Sequence, residues 1–377
     1  MKLTSAFRHI LSLALLALNT IAAGVTLAAL WGGTIDPYTW VVPALLSMML
    51  PLVLVADVVI MALDIIFRRL RYIFIILGSW LIGASALLTY SPLNLNKPEQ
   101  LTPDERERSF TLLTYNVLHF LDFRGEMPDL DTNATIDYIL STDADIVSLQ
   151  EADAMMTWPL WHITSEQIAR LTERYPYRII NVNNQLSVLS KYPMEWDNIP
   201  LEGDAAQRMA LFHFDIKGRR VSLFNVHLAS IGLDMADKAL YQRLFDTYPL
   251  SEHHLRKELS DVKHQLIGKL AVAFRRRADQ ARTLRHVMDS VGGDFIVAGD
   301  FNDIPGCFAI RTIRGDDMSD AYAECALGPT ITYHGNRFYF RIDHVLYRGA
   351  FRATAIESPR IPSSDHYPVF TTFVFDQ

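Results

Sequence analysis

Residues 295–303 read FIVAGDFND, an apolar run followed at once by polar side chains. Phe295 to Ala298 predict a buried strand, and Asp300 and Asn302 come where that strand ends. The same arrangement recurs at the ends or interruptions of other apolar runs. The polar residues at these places are Asn116, Glu151, His227, Asp343, His344, Asp365 and His366. Polar side chains at several strand ends converge on one edge of a sheet, so we expect a single polar site.

Short strand-like runs alternate with helical patterns between about residues 109 and 377. A helix is predicted near Thr132 to Leu140. The strands that we predict are Phe110 to Val117, Ile146 to Leu149, Arg178 to Val182, Leu186 to Leu189, Met209 to Ile216, Val221 to Val226, Phe295 to Ala298, Ile342 to Tyr347 and Val369 to Phe375. So many short strands predict an α/β (α+β) fold of packed β-sheets with outer helices.

A long helical stretch, Gly232 to Ser290, separates two of these strands. Its apolar stripe predicts a core face; the stripe consists of Leu255, Leu259, Val262, Leu266 and Leu270. The run Arg275 to Arg277 follows, and it is interpreted as a solvated helix turn. Contact of these arginines with anionic lipid headgroups is the alternative.

Residues 1–92 contain three stretches that are long and apolar enough to cross a bilayer, which takes about 20 residues. The three are Ile10 to Trp31, Thr39 to Leu63 and Tyr72 to Tyr90. We therefore predict a transmembrane region at 1–92, a linker at 93–108 and a catalytic domain at 109–377. A cleaved signal peptide is the alternative for the first stretch alone.

The basic residues of this region predict its orientation. Lys2 and Arg8 precede the first span and an arginine cluster, 68–71, follows the second, whereas the loop around Asp36 has no Lys or Arg. The positive-inside rule then places the C-terminal domain on the extracytoplasmic side of a bacterial inner or plasma membrane. Asp57 lies inside the second span. We interpret it as an interface-facing or protonated carboxylate, with an ion or proton path as the alternative.

From Leu101 onward the chain has 29 Lys and Arg against 38 Asp and Glu, a formal charge of −9. This excess of acidic residues disfavours a surface that grips nucleic acid non-specifically. The two cysteines, Cys307 and Cys325, are too few for a thiolate metal site or a disulfide framework, and the sequence leaves open whether they pair.

The residues at the strand ends are those that phosphoester hydrolysis needs. Mg²⁺ or Mn²⁺ prefers carboxylate and amide oxygens, which Glu151, Asp365 and Asn116 supply. Asp300 suits the task of deprotonating or positioning a water. Asn302, His227 and His366 suit contact with the phosphate oxygens, and Asp343 is a candidate partner for His366.

The strings LLTYNV, SLQEAD, LSKYP, NVHL, GDFND, RIDHVL and SSDHYP follow one another between residues 112 and 368. In this order and spacing the chain resembles the endonuclease/exonuclease/phosphatase superfamily, the deoxyribonuclease-I-like fold. The resemblance covers about Phe110 to Phe375 and implies two packed β-sheets flanked by helices, a four-layer sandwich. The three predicted transmembrane helices precede it.

The resemblance also implies a role for each matching residue. Glu151 and Asp365 are implied to be metal ligands, with Asn116 near the metal. Asp300 is implied to activate the water. The remaining implied roles are Asn302 orienting on the phosphate, His227 on a phosphate oxygen, and the dyad of Asp343 with His366 at the scissile phosphate.

The chain departs from the family pattern in two places. Position 118 is Leu where some abasic-site nucleases carry an acid, which puts a second metal-ligand position in doubt. Position 344 is His where related sequences often have Tyr, a change expected to affect packing. The histidines that match no family position are interpreted as ordinary residues; they are His119, His213, His253, His254, His264 and His286. Trp158 and Trp161 are expected beside the substrate groove or in a packing role.

The function that these observations favour is a membrane-anchored Mg²⁺- or Mn²⁺-dependent phosphoesterase. Its expected partners are the lipid bilayer and a phosphoester, with a lipid headgroup or small phosphoester favoured. A nuclease is the nearest alternative, because the shared residues specify the reaction and leave the leaving group open. A catalytically silent binding domain is a further alternative. No obligate protein partner is evident from the sequence.

Overall fold

A computed structural model of the chain describes residues 5–95, 100–121, 132–153, 163–182, 185–197, 199, 204, 208–232, 252–335 and 338–377, apart from the side chains of 5, 6, 181 and 252–265. Trp158 and Trp161 lie outside these residues, as do the side chains of His253, His254 and His264.

The N-terminal region is helical. Its helices are α1 (Ser5–Trp31), α2 (Val42–Met48), α3 (Leu50–Ile66), α4 (Ile73–Ile82) and α5 (Ala84–Tyr90). Within the described residues, Phe7–Thr34 is the one uninterrupted helix that is long and apolar enough to cross a membrane. The three predicted spans thus correspond to one continuous helix and two bent helix pairs.

The two helix pairs bend near a proline and at a glycine, the residue types least favourable inside a helix. Val42–Met48 and Leu50–Ile66 meet at 69°, and Leu70–Ile82 and Ala84–Tyr90 meet at 75°. Pro51 lies in the first turn of α3, where its missing N–H leaves no helix hydrogen bond unmade. The same proline prevents the preceding helix from continuing through this position. At the second bend, Leu30 of α1 fills the space that a Cβ on Gly83 would need.

Of the two interpretations of Asp57, interface-facing or protonated, the structure corrects the first, because Asp57 is buried inside the helical region. Its Oδ2 accepts hydrogen bonds from Thr26 Oγ1 at 2.7 Å and from Trp80 Nε1 at 2.8 Å. The carboxyl is therefore held by neutral donors from α1 and α4.

The C-terminal region contains two six-stranded sheets, as the resemblance implied. The order is β11-β12-β1-β2-β4-β3 in the first sheet and β5-β6-β7-β8-β10-β9 in the second. The strands are β1 (Ser109–Asn116), β2 (Ile146–Gln150), β3 (Tyr177–Val182), β4 (Leu186–Ser190), β5 (Met194–Asp197), β6 (Met209–Ile216), β7 (Arg219–His227), β8 (Phe295–Asp300), β9 (Ser319–Asp320), β10 (Asp343–Arg348), β11 (Phe351–Glu357) and β12 (Val369–Phe375).

Helices cover both outer faces of the sheets, which completes four layers. The helices are α6 (Pro103–Glu107), α7 (Ala134–Thr142), α8 (Ser165–Arg174), α9 (Glu252–Val291), α10 (Phe308–Arg314) and α11 (Ala321–Cys325). Phe110 and Phe373 stack at 5.2 Å between centroids in the core between the sheets. Leu284 and Met288 of α9 pack on the outer face of the second sheet.

α9, called the insertion helix below, also contacts the N-terminal helical region. Leu270 and Phe274 are buried against Ala44 of α2, and Leu266 packs beside them. The predicted apolar stripe is thus a contact with the N-terminal helices over the part whose side chains are described. Nearby, Arg282 pairs with Asp36 of the loop between α1 and α2.

The arginine run is not a solvated turn throughout, which corrects the sequence interpretation for one member. Arg277 is 1% exposed; its Nε is 3.2 Å from Asp303 Oδ2, and its Nη1 donates to the Ala229 carbonyl at 2.9 Å. Arg276, one position earlier, remains half-exposed and pairs with Asp204. A helix turn points neighbouring residues in different directions, so one arginine meets the core while the next meets solvent.

Part of the predicted linker 93–108 is folded against the catalytic domain. Asn94 donates to the carbonyls of Ala323 and Ala326, and Thr102 caps α6. Cys307 and Cys325, whose pairing the sequence left open, are free thiols.

Candidate active site

Five strand ends bring the predicted residues to one edge. Asn116 ends β1, and His227 and Asp300 end the parallel strands β7 and β8, where they stand opposite each other in register. Asp343 begins β10, which runs antiparallel to β8, so that it also lies opposite Asp300. Glu151 directly follows β2. The two sheets pack face to face, so their polar ends meet over the inter-sheet core.

The Asn116 amide links the two sheets. Its Nδ2 lies 3.1 Å from Glu151 Oε1 and 3.1 Å from Asp300 Oδ2. Its Oδ1 accepts from the Leu118 backbone N–H at 3.1 Å, and its carbonyl accepts from the Ser364 hydroxyl. One buried amide therefore fixes two carboxylates that come from different strands.

His227 stands between the same two carboxylates. Its Nε2 is 3.7 Å from Glu151 Oε1 and 3.7 Å from Asp300 Oδ2. Burial lowers the pKa of His227 to about 4, so the neutral imidazole is favoured. A neutral ring with Nε2 directed at the carboxylates has the capacity to bind a phosphate oxygen through an N–H.

His366 forms a dyad with Asp343. Nδ1 of His366 is 2.8 Å from Asp343 Oδ2, and Nε2 is 3.6 Å from Asp300 Oδ2. Although burial alone would lower it, the carboxylates of Asp343 and Asp300 raise the pKa of His366 to about 10. The imidazolium form is thus stable at neutral pH, with one N–H donated to Asp343 and the other directed at the site.

Asp300 lies at the centre of these contacts and is 1% exposed. Burial raises the pKa of its carboxyl to about 7. Its Oδ1 accepts from the backbone N–H of Asn302 at 2.8 Å, and Asn302 Nδ2 donates to the Leu228 carbonyl at 3.0 Å. Asn302 is held by these two bonds with a left-handed backbone, φ 52°. Groups whose pKa values are driven apart in one cleft are typical of acid–base chemistry.

Asp365 and Glu151 provide oxygens for a cation. Burial raises the pKa of the Asp365 carboxyl, and the charge of Glu151 adds to that effect. Asp365 Oδ1 is buried and finds no hydrogen-bond donor among the residues that the structure describes. A buried oxygen without a partner, close enough to feel the charge of the Glu151 carboxylate, fits a hard divalent cation.

A second grouping of possible metal ligands overlaps with the dyad. Ligand atoms of Asp300, Asp343 and His366 lie within 4.8 Å of one another. The hydrogen bond between Asp343 and His366 already occupies one atom of each residue. The triad therefore has fewer free ligand atoms than its three residues suggest.

The loop before β10 supports the dyad from behind. The Thr332 hydroxyl accepts from the backbone N–H groups of Ile342 and Asp343, at 2.9 and 3.0 Å. The Tyr333 ring lies 4.9 Å from the His366 ring. This loop carries no motif that would single it out in the sequence.

The two departures from the family pattern have different consequences. His344 is buried, with Nε2 2.9 Å from the Asp303 carbonyl and its ring edge-on to Phe301, which is a packing role. Leu118 provides no ligand, but its neighbour His119 contacts Glu151. Nε2 of His119 is 3.4 Å from Glu151 Oε2, and Nδ1 is 2.5 Å from Asp153 Oδ1. His119, interpreted from the sequence as an ordinary surface or core residue, therefore lies at the rim of the site.

Comparison with protein families identifies one that matches most of the C-terminal region. Residues 113–366 match the Endonuclease/Exonuclease/phosphatase family. No curated protein sequence matches the chain.

Solved structures with a similar fold include three from bacteria. An endonuclease/exonuclease/phosphatase from Beutenbergia cavernae is 20% identical over 71% of this chain and 72% of its own, with a TM-score of 0.46. Sphingomyelinase C from Streptomyces griseocarneus is 18% identical over 70% and 99%, with a TM-score of 0.40. Mannosyl-6-phosphatase from Bacteroides thetaiotaomicron is 17% identical over 71% and 100%, with a TM-score of 0.40.

The matched region spans well over half of the chain, from within β1 to His366 of the dyad. This region includes all the active-site side chains described above. The chain is a member of the Endonuclease/Exonuclease/phosphatase family of phosphoester hydrolases.

Proposed function

We propose that the protein is a membrane-anchored, divalent-metal-dependent phosphoesterase. The observation that carries this proposal is the single polar network in which Asn116 joins Glu151 to Asp300 and His366 joins Asp300 to Asp343. A buried polar group with a purely structural role needs only a partner of its own. Here the buried polar groups share their partners with one another at one edge of the sheets. Shared burial of acids, an amide and imidazoles is characteristic of a catalytic cleft.

Each active-site residue has a proposed role that follows from the chemistry of its side chain. Glu151 and Asp365, with Asn116 beside them, hold Mg²⁺ or Mn²⁺, which neutralises charge on the phosphate when it is bound. Asp300 accepts a proton from the attacking water. The protonated His366, supported by Asp343, donates to the phosphate or the leaving oxygen. Asn302 and His227 orient the non-bridging oxygens.

We further propose that the substrate is a phosphoester in a lipid headgroup. The support comes from how the active-site loops pack. Ile304 follows Asn302 closely and Ile342 precedes Asp343, and both lie in one apolar cluster with Leu30 of α1 and Leu50 of α3. The cleft therefore stands next to the end of the helix that is apolar enough to cross a membrane.

The side chains around that helix end suit a membrane interface. Trp31, Tyr38 and Trp40 are each about half-exposed between α1 and α2. Tryptophan and tyrosine are enriched where lipid headgroups meet water. The formal charge of −9 from Leu101 onward disfavours nucleic acid, although a nuclease remains the alternative function.

The test uses the full chain in detergent micelles and in lipid vesicles. With Mg²⁺ or Mn²⁺ we expect it to hydrolyse bis-p-nitrophenyl phosphate, and EDTA should abolish turnover. His366→Ala should lose activity. His213→Ala is the matched control, because His213 also contacts an aspartate but lies on β6 beside Ser222, away from the site. Full activity of His366→Ala would overturn the catalytic assignment.

The substrate class is tested with a panel on the same preparation. Vesicles containing sphingomyelin or a phosphoinositide are compared with plasmid DNA, each with and without metal. Faster hydrolysis of a vesicle lipid supports the lipid proposal. Cleavage of DNA with no lipid hydrolysis would replace it with the nuclease.

A further inference from the structure

His119 lies between two carboxylates at the rim of the site. Its Nδ1 is 2.5 Å from Asp153 Oδ1 and its Nε2 is 3.4 Å from Glu151 Oε2. Asp153 is itself anchored, because Gln185 Nε2 lies 3.3 Å from its other oxygen. The ring thus connects a fixed acid at the rim to the carboxylate that we assign to the metal.

The backbone around His119 adopts a rare conformation to make this contact. Leu118, His119 and Phe120 have φ values of 45°, 55° and 58°, in the left-handed region that residues other than glycine seldom occupy. Hydrogen bonds hold the turn at each residue. The Leu118 N–H donates to Asn116 Oδ1, the His119 N–H to the Glu151 carbonyl at 2.9 Å, and Asn133 Nδ2 to the Phe120 carbonyl.

Two of these hydrogen bonds end on the proposed metal site itself. The turn is tied to Asn116 and to Glu151, and Glu151 also has a left-handed backbone, φ 53°. Strained backbone persists where surrounding contacts over-determine it, and it clusters at functional sites. The contacts between His119 and Glu151 therefore involve both the backbone and the side chain.

The two oxygens of Glu151 have separate partners. Oε1 lies against the Asn116 amide at 3.1 Å and faces His227, whereas Oε2 faces His119. Glu151 is partly exposed. Among these contacts, His119 is the residue that faces its outer oxygen, Oε2. A ligand carboxylate that is held on both sides loses less freedom when a cation binds. Partners behind a metal ligand typically change metal affinity by about 10–100-fold.

We infer that His119, held by Asp153, is a positioning residue for the metal ligand Glu151. This inference rests on the proposed function, since it takes Glu151 to be a ligand. It assigns His119 a task in metal affinity rather than in the chemical step, because none of its contacts reaches Asp300 or His366 among the described residues.

Two substitutions separate the side-chain contact from the backbone strain. In His119→Gln the amide nitrogen takes the place of Nε2 and still reaches Glu151. In His119→Asn the amide replaces Nδ1 and reaches Asp153 alone. Asn tolerates the left-handed backbone better than Gln does, so weaker binding by the Asn variant cannot come from strain at this position.

The experiment measures Mn²⁺ binding to the full chain in detergent from the electron paramagnetic resonance of the free ion. We expect His119→Asn to weaken Mn²⁺ binding by about 10–100-fold, and His119→Gln to remain within about threefold of the unsubstituted chain. At saturating Mn²⁺, kcat on bis-p-nitrophenyl phosphate should stay close to that of the unsubstituted chain in both variants. His213→Gln is the control and should bind normally.

Glu151→Gln distinguishes the two levels of the proposal. If this variant binds Mn²⁺ as tightly as the unsubstituted chain, the metal assignment in the proposed function is wrong. If it loses binding while the Asn and Gln variants of His119 bind equally well, the proposed function stands and the role of His119 is wrong. A fall in kcat at saturating Mn²⁺ in His119→Gln would likewise overturn the positioning role.

Discussion

The helical region and the α/β domain both bury carboxyl groups, but they surround them with different partners. Asp57 between the helices is held by a threonine hydroxyl and an indole N–H. Asp300 at the strand ends is held by an amide and lies within 3.6–3.7 Å of two imidazoles. Neutral donors only satisfy a buried carboxyl, whereas an imidazole beside it supplies a group that can carry a proton and a charge. The burial of an acid therefore does not indicate a catalytic role until its neighbours are known.

Replacing each of the two acids by its amide should affect catalysis very differently. Asp300→Asn should lower kcat by about 10²–10⁴-fold, because the amide cannot accept the proton of the attacking water. Asp57→Asn keeps an acceptor for Thr26 and should leave kcat within about twofold. The measurement is hydrolysis of bis-p-nitrophenyl phosphate by the full chain, with circular dichroism to check folding. Equal losses in the two variants would remove the distinction between the regions.

A second comparison concerns two adjacent arginines on the insertion helix. Arg277→Ala should destabilise the chain by about 3–5 kcal/mol, because it leaves the buried Asp303 without its charge partner. Arg276→Ala should cost less than about 1 kcal/mol, since the Arg276–Asp204 pair is exposed. Chemical denaturation of the detergent-solubilised chain measures both. Similar stabilities for the two variants would contradict the buried ion pair.

A substitution in the dyad of Asp343 with His366 has the smallest expected effect on the rate and the most specific one. The Asp343 carboxylate raises the pKa of His366, so the imidazolium persists to higher pH than a free histidine would. Asp343→Asn keeps an acceptor for Nδ1 but removes the charge. The pKa of His366 then falls, and the alkaline limb of the pH–rate profile should move to lower pH by about 1–3 units. A limb that stays in place would mean that another group controls it.

The contact between the two regions bears on how the protein should be handled. Ile304, Cys307 and Ile342 of the catalytic domain share an apolar cluster with Leu30 and Leu50. A truncated catalytic domain would expose that cluster to water. The full chain is therefore the proper material for each measurement above.

Much of the strand pattern follows from the sequence alone. Met209–Ile216 and Val369–Phe375 have the predicted boundaries, because each combines apolar residues with the β-branched and aromatic types that favour strands. Three strands were not predicted. Met194–Asp197 is a short edge strand with mostly exposed side chains, Ser319–Asp320 has two residues, and Phe351–Glu357 is interrupted by a bulge near Ala353. Such strands form because a neighbour offers free backbone groups, which local sequence does not record.

What the sequence determined by itself is the set of polar residues that follow the strands and the family they resemble, since strand ends and motif order are properties of the chain. Its three-span prediction became one clear helix and two bent pairs, where proline and a glycine packed against α1 interrupt the helices. Only the tertiary structure decided that Arg277 is buried, that Asp57 faces neutral donors and that His119 reaches Glu151. Each of these depends on partners that lie 23 to 32 positions away or on a left-handed turn, and neither leaves a periodic signal in the sequence.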